Sequence, residues 1–248
     1  MKIYWKNRLI QSGAARIVIG DAAFFMGSAL AEAMLVSAGK AVDFEMHFAR
    51  LCEGARVLMM PQPSKAVLKS ACSRLIRANR LREGSLRLRY FRDGALLIHP
   101  FPLRKVNPGL EKEGIRLLTT AVRHYGPDSV HGRVKANSML PNWLAKAEAG
   151  AWAEDGLRMT PAGYVAEGVW SNIVIEKKGL LLTPPLSEGI LEGTVRGALI
   201  KKWKKAGKKV KEIPLTRHDL YTADKVWMCS SLRGALKVRE VDGRKIGV

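Results

Sequence analysis

The sequence predicts an α+β fold in two domains, residues 1–108 and 109–248. Three observations lead there. The first hundred residues set hairpin-like segments around two amphipathic helical runs. Pro100, Pro102 and Pro108 then gather in a stretch, Pro100 to Gly109, that reads as a linker. The remainder intersperses short strands with separate helices. A length of 248 residues allows one large domain or two small ones, and a hydrophobic content of 47% can fill a core.

In chain order, Lys2–Trp5 and Arg8–Ile10 read as a hairpin about Lys6-Asn7. Asp21 to Leu30 is a glycine-flanked loop or short helix, and Ala31 to Leu35 a strand that turns at Ser37–Lys40. Phe44 to Met59 places Phe44, Phe48, Leu51, Ala55 and Leu58 on one helical face; Ser64 to Asn79 is a second amphipathic helix. Ser85–Tyr90 alternates Leu86, Leu88 and Tyr90 with Arg87 and Arg89, then pairs through Arg92-Asp93-Gly94 with Ala95–His99.

In the second half, Gly114–Val122, Leu157–Thr160, Tyr164–Ala166, Asn172–Ile175, Leu180–Leu182, Val210–Ile213 and Lys225–Cys229 read as strands. Helices are expected at Leu140–Ala151, Val195–Lys205 and Arg217–Thr222, the last capped by Thr216.

Composition excludes several classes. No apolar run is long enough to span a bilayer, and the basic start has no apolar core of a signal peptide. A soluble, cytoplasmic protein without membrane contact is the expectation. Cys52, Cys72 and Cys229 are far apart and read as buried free thiols; the five histidines show no metal spacing, so no metal is expected. Net charge is +20, densest at Lys201–Lys205, Lys208, Lys209 and Lys211. That run reads as the solvated face of a helix and its following loop. Nucleic acid is not expected as a partner, because interleaved aromatics, a recognition helix and zinc spacing are lacking.

The chemistry-bearing stretch is Val130 to Asn172. It holds Lys135 at a turn and Glu167 between Tyr164-Val165-Ala166 and Gly168. Alone, either reads as an ordinary charge at an element boundary. Farther on, Gly193-Thr194-Val195 opens a helix, where unpaired amides and the helix dipole favour an anion. Ser230-Ser231 ends a strand with two hydroxyls.

With KIYWKNRLI, GDAAFFMGSALAEAM, HFARL, VKANSMLPNWLAKAEA, GYVAEGVWSNIVI, LLLTPPLSEGILEGTVR and VWMCSSLRGALKV in this order, the chain resembles the fold-type IV pyridoxal-phosphate (PLP) enzymes. Those are the branched-chain and D-amino-acid aminotransferases and aminodeoxychorismate lyase. The resemblance implies a small N-terminal α/β domain and a larger C-terminal domain with a mixed, barrel-like sheet. It implies PLP as cofactor and a homodimer as the assembly. It makes Lys135 the Schiff-base lysine and catalytic proton carrier, and Glu167 the acid at the pyridine nitrogen. It assigns the phosphate to Gly193, the amides of Thr194 and Val195, Ser230 and Ser231, with Arg50 reaching from the small domain, and packs Leu191 on the ring face. Ser28, Arg123, His124, Arg133 and Trp170 are the candidates for touching substrate.

The sequence also departs from the family pattern. Ala31 stands where an aromatic is common, and Leu35 where an arginine is. Leu140 replaces the tyrosine of branched-chain enzymes, which argues against that substrate class. The motif LRGALKV lacks a proline pair, and the chain stops at VDGRKIGV, before the terminal helix most members have. The expected function is a class IV aminotransferase moving an amino group between an amino acid and a 2-keto acid. The alternatives are a 4-amino-4-deoxychorismate lyase, releasing 4-aminobenzoate and pyruvate, and a catalytically degenerate, anion-binding member.

Overall fold

The computed structural model describes residues 1–16, 25–102 and 108–247. It divides into two compact units, Met1–Arg104 with Val134–Ser138, and Lys105–Arg133 with Met139–Val248. The short stretch around Lys135 thus groups with the first unit. Residues 21–24 of the expected loop at Asp21–Leu30 lie outside the described residues.

The first unit is a six-stranded antiparallel sheet in the order β2-β1-β6-β5-β3-β4. Its strands are β1 (Lys2–Trp5), β2 (Arg8–Gln11), β3 (Leu30–Ser37), β4 (Lys40–Ala41), β5 (Gly84–Tyr90) and β6 (Leu96–Pro102). The β1–β2 hairpin closes through Lys6 and Asn7, both at positive φ (44° and 67°), the backbone a tight hairpin turn demands. Alternation decides the faces. Leu86, Leu88 and Tyr90 are buried, while Arg87 is exposed and Arg89 half-buried.

Helices α1 (Phe44–Val57) and α2 (Lys65–Ala78) cover the apolar face. Leu51, Ala55, Leu68 and Leu75 meet Leu30, Met34, Leu86, Leu88 and Ile98 in one core. Ser64 caps α2 by accepting from the Val67 amide at 3.4 Å.

The expected linker at Pro100–Gly109 is corrected by β6, which runs on through Pro100 and Pro102 opposite Leu86 and Gly84. Prolines are tolerated there because β1 pairs only with Leu97 and Ile98, leaving the rest of that side of β6 as an edge without a ladder to donate to.

The second unit is a mixed nine-stranded sheet. Its strands are β7 (Ile115–Thr119), β8 (Asp155–Met159), β9 (Val165–Gly168), β10 (Asn172–Lys177), β11 (Leu180–Thr183), β12 (Val210–Glu212), β13 (Lys225–Ser230), β14 (Gly234–Val241) and β15 (Arg244–Lys245). They follow the order β12-β11-β10-β13-β14-β7-β8-β9, with β15 on β14. β11–β12, β14–β7 and β7–β8 are parallel and the other pairs antiparallel. Ile115, Leu117, Leu157, Ile173, Ile175, Val226 and Val238 form its core.

Among the described residues, five α-helices belong to this unit: α3 (Pro108–Glu113), α4 (Val130–Arg133), α5 (Leu140–Ala149), α6 (Thr194–Lys205) and α7 (Arg217–Tyr221), the last starting with a Thr216–Asp219 capping box. Lys201, Lys202, Lys204 and Lys205 are exposed on α6, and Lys208, Lys209 and Lys211 follow in the same state, as expected of a solvated face. Trp203 of α6 turns inward against Trp227, ring centroids 6.1 Å apart.

Candidate active site

In the second unit the local chain geometry gathers polar groups around Glu167. β8 and β9 pair with Arg158 opposite Glu167, and the register shifts at the next step, so that Met159 meets Val165. Ala166 is the extra residue of a β-bulge. Regular alternation would put Glu167 on the face of Val165, which is in the core; the bulge re-aims it to stand opposite Arg158. A tight turn follows, with the Gly168 amide donating to the Ser171 carbonyl at 2.7 Å, and Asn172 opens β10.

Glu167 is 7% exposed and surrounded by polar partners. Oε2 accepts from Asn172 Nδ2 at 2.9 Å and from the Leu191 amide at 3.1 Å. Oε1 faces His124 Nε2 at 3.1 Å and Arg158 Nη2 at 3.6 Å. Asn172 Nδ2 also donates to the Leu191 carbonyl at 2.9 Å, so Leu191 holds the acid through its backbone. Arg158 is 2% exposed, and its Nε and Nη1 have no hydrogen-bond partner among the described residues. Burial pushes the Arg158 guanidinium down from its ordinary value, opposed by the charges of Glu167, Tyr125 and Asp155.

The same locus reaches the start of α6. Gly193 is the N-cap residue and no side chain caps the first turn, so the leading amides retain their capacity for an anion. A Cβ on Gly193 would land on Asn172 Oδ1, so only glycine lets the helix start this close to the residue that orients Glu167. Thr194 is buried and Val195 half-buried. Asn172 pairs with Cys229 in β13, which places Ser230 and Ser231 just past that register, both half-buried. Glu167, Leu191, Gly193–Val195 and Ser230–Ser231 therefore belong to one neighbourhood. Cys229 is buried with its thiol pushed up to about 12 by burial, with the Arg196 charge opposing, and so is inert.

In the first unit, the Lys135 segment adds to the end of the sheet. Ala136 bridges Leu30, the Ala31 amide donates to the Lys135 carbonyl at 2.7 Å, and the Asn137 amide donates to the Ala29 carbonyl at 2.7 Å. Val134 packs on the core. These bonds hold the backbone on both sides of a half-buried lysine. Arg89 Nε donates to Asn137 Oδ1, and Nη1 donates to the Leu88 carbonyl at 2.9 Å. Burial, with the Arg87 charge, pushes Arg89 down. Ser28 Oγ is buried without a hydrogen-bond partner among the described residues.

Arg50 is held by Glu32. Nε donates to Oε1 and Nη2 to Oε2, each at 2.7 Å, a bidentate pair, and His47 Nδ1 lies 2.7 Å from Oε2. Glu32 is 2% exposed. Burial pushes its carboxyl up, but the charge and hydrogen bond of Arg50 and then those of His47 outweigh this and leave it at about 2.

The remaining substrate candidates divide. Arg123 and Arg133 are exposed, with no side-chain bond among the described residues, and Trp170 is 46% exposed in the turn before Asn172. His124 is redirected: its ring is buried, one nitrogen on Glu167 and the other 3.1 Å from the Tyr125 carbonyl, which leaves no donor for a substrate carboxylate. Sequence reasoning did not single out Asn172, Arg158, Arg89 or Glu32 for the site. The signals were present as an arginine inside an apolar strand (LRM), an asparagine at the start of one, and the polar face of SLRLRY.

Residues 29–241 match the family model of the class IV amino-transferases. A protein of Methanocaldococcus jannaschii named "Putative branched-chain-amino-acid aminotransferase" is 32% identical over 99% of this chain and 90% of its own length. A Mycobacterium tuberculosis protein named bifunctional aminodeoxychorismate lyase / D-amino acid transaminase is 28% identical over 99% of this chain and 93% of its own. Among solved structures, the branched-chain amino acid aminotransferase of Escherichia coli superposes with a TM-score of 0.93 at 25% identity, covering 99% of this chain and 88% of that one. A family-model match over most of the chain, with a relative matched nearly end to end, makes this protein a member of the class IV aminotransferases, enzymes that work with PLP.

Proposed function

We propose that the protein transfers an amino group between an amino acid and a 2-keto acid, with Lys135 as the amine that carries the cofactor and Glu167 as the acid at its ring nitrogen. The observation that carries this reading is Glu167 itself: a buried carboxylate, held by the Asn172 side chain and the Leu191 amide and faced by His124 and Arg158, beside an uncapped helix start. Its neighbourhood fits PLP. A carboxylate suits a protonated ring nitrogen; bare amides at Thr194 and Val195, with the Ser230 and Ser231 hydroxyls, suit a phosphate.

When bound, PLP supplies the aldehyde and the electron-withdrawing ring. The chain supplies the rest. Lys135 would hold the aldehyde through its amine and, once the substrate amine has taken its place, would act as the base that accepts the proton from the carbon bearing that amine. Glu167 keeps a proton on the ring nitrogen. Arg50, oriented by Glu32 and His47, adds a cation for the phosphate, and the Leu191 side chain packs on the ring face. Arg89 is proposed to grip a substrate carboxylate: its guanidinium is half-buried and tied to Asn137, two residues past Lys135. Ser28 and Trp170 are proposed to line the substrate, with exposed Arg123 and Arg133 as outer cations.

A second reading, elimination of pyruvate from aminodeoxychorismate, draws on the two activities in the name of the Mycobacterium tuberculosis relative. The test is incubation with amino donors plus 2-oxoglutarate and, separately, with aminodeoxychorismate. Glutamate formation supports the transferase; pyruvate with an aromatic amine supports the lyase. A colourless protein that takes up no PLP refutes both and favours the degenerate, anion-binding member.

No helix among the described residues is long and apolar enough to cross a membrane. A cytoplasmic homodimer is proposed, in keeping with the resemblance. Leu140, Trp143 and Leu144 of α5 are exposed at 67%, 69% and 51%, with Trp152 at 72% just beyond, a patch suited to a second copy. Sedimentation of the wild type and of Trp143→Glu tests this: a wild-type dimer weakened by the charge is expected, and a wild-type monomer refutes it.

A further inference from the structure

The hydrogen-bond inventory around His124 places a proton that the proposed reaction does not use. His124 Nδ1 lies 3.1 Å from the Tyr125 backbone carbonyl, which can only accept, so Nδ1 carries a hydrogen. Nε2 lies 3.1 Å from Glu167 Oε1. A bare imidazole nitrogen facing a bare carboxylate oxygen would be two acceptors in contact. One proton therefore lies between Nε2 and Oε1. Arg158, 2% exposed, brings Nη2 to within 3.6 Å of the same oxygen, while its Nε and Nη1 lack partners. A buried guanidinium so poorly satisfied is costly for folding alone.

We propose that Arg158 and His124 are positioning residues forming a cationic backing to Glu167, which limits how tightly Glu167 binds a proton on the cofactor's ring nitrogen. This rests on Glu167 as the acid at that nitrogen. Both cations act on Oε1, whereas Oε2 is occupied by the neutral donors of Asn172 and Leu191. A cation at contact distance stabilises the carboxylate and weakens it as a base. The ring nitrogen then shares its proton with a weakened acceptor, and the ring's pull on electrons is moderated. The other titratable groups facing this trio are Tyr125, which meets His124 edge-on and stacks on His131, and Asp155, which acts on Arg158 through its charge.

The test uses the full chain, freed of cofactor and reloaded with PLP or with 1-deaza-PLP, which has a C–H in place of the ring nitrogen. Affinity is read by fluorescence quenching. Wild type is expected to favour PLP by about tenfold or more, the worth of one charge-assisted hydrogen bond. In Arg158→Met that preference rises by at least about fivefold, and in Arg158→Lys it stays near wild type. An unchanged or reduced preference in Arg158→Met, with wild type still discriminating, overturns the backing and leaves the role of Glu167 standing. A wild type that does not discriminate overturns the role of Glu167, and the backing with it. Should Arg158→Met fail to fold, 15N spectra of the wild-type His124 ring decide. Protons on both ring nitrogens support the proposal; a ring carrying a single proton, and so no charge, overturns it.

Discussion

Replacing Glu32 with glutamine removes one charge from the buried Glu32–Arg50–His47 cluster and changes little else in shape. In the folded chain the Glu32 carboxyl sits at about 2 against an ordinary 4.5. The difference of about 2.5 units is worth roughly 3 kcal/mol, within the range for breaking a buried ion pair. The sign follows from the direction. A depressed carboxylate adds stability that is full above its unfolded value and lost as pH falls through the folded one. Glu32→Gln should therefore be destabilised by roughly 3 kcal/mol at pH 7 and by about half that at pH 3. Urea unfolding of both proteins at the two pH values, followed by circular dichroism, measures this. The variant should also bind PLP more weakly, because Arg50 loses the partner that orients it. A loss under about 1 kcal/mol at pH 7, or one that does not shrink in acid, would refute the reasoning.

Gly193→Ala should lower PLP affinity by about tenfold or more while leaving the fold intact, because the new methyl displaces Asn172 from Glu167; calorimetric titration of the cofactor-free chain reads it, and unaltered affinity counts against that neighbourhood as the cofactor site. Thr216→Ala removes one arm of the α7 capping box and should cost about 1 kcal/mol in urea unfolding, with no change in cofactor affinity.

Local patterns were readable where one face of an element meets a core. The SLRLRY alternation and the Phe44–Leu58 stripe each emerged with the expected side inward, because burial enforces period. Turn chemistry marked the β1–β2 hairpin, and Thr216 marked a cap. The strand β14 escaped notice, because Lys237, Arg239 and Glu240 mask its Leu236, Val238 and Val241, and its register shifts between Val238 and Glu240. Pro100 and Pro102 read as a linker since pattern alone cannot say which strand side lacks a partner.

In the candidate site, Lys135 and Glu167 stood out only through the order of motifs around them. The partners of Glu167 did not, since they depend on long-range approach: the Leu191 amide and the His124 ring come from 24 and 43 residues away. The bulge at Ala166 that aims the acid leaves no mark in residue type. His124 illustrates the gap, being a plausible substrate contact by sequence and a fully engaged buried ring in the fold.

The central claim is that one lysine, Lys135, carries the cofactor. Loading the chain with PLP, reducing with borohydride to lock cofactor to amine, and mapping the peptides by mass spectrometry tests it directly. The account predicts a pyridoxyl-phosphate adduct confined to Lys135 and abolished in Lys135→Ala, despite the exposed lysines of α6. An adduct on another lysine, spread over many, or absent altogether would contradict it.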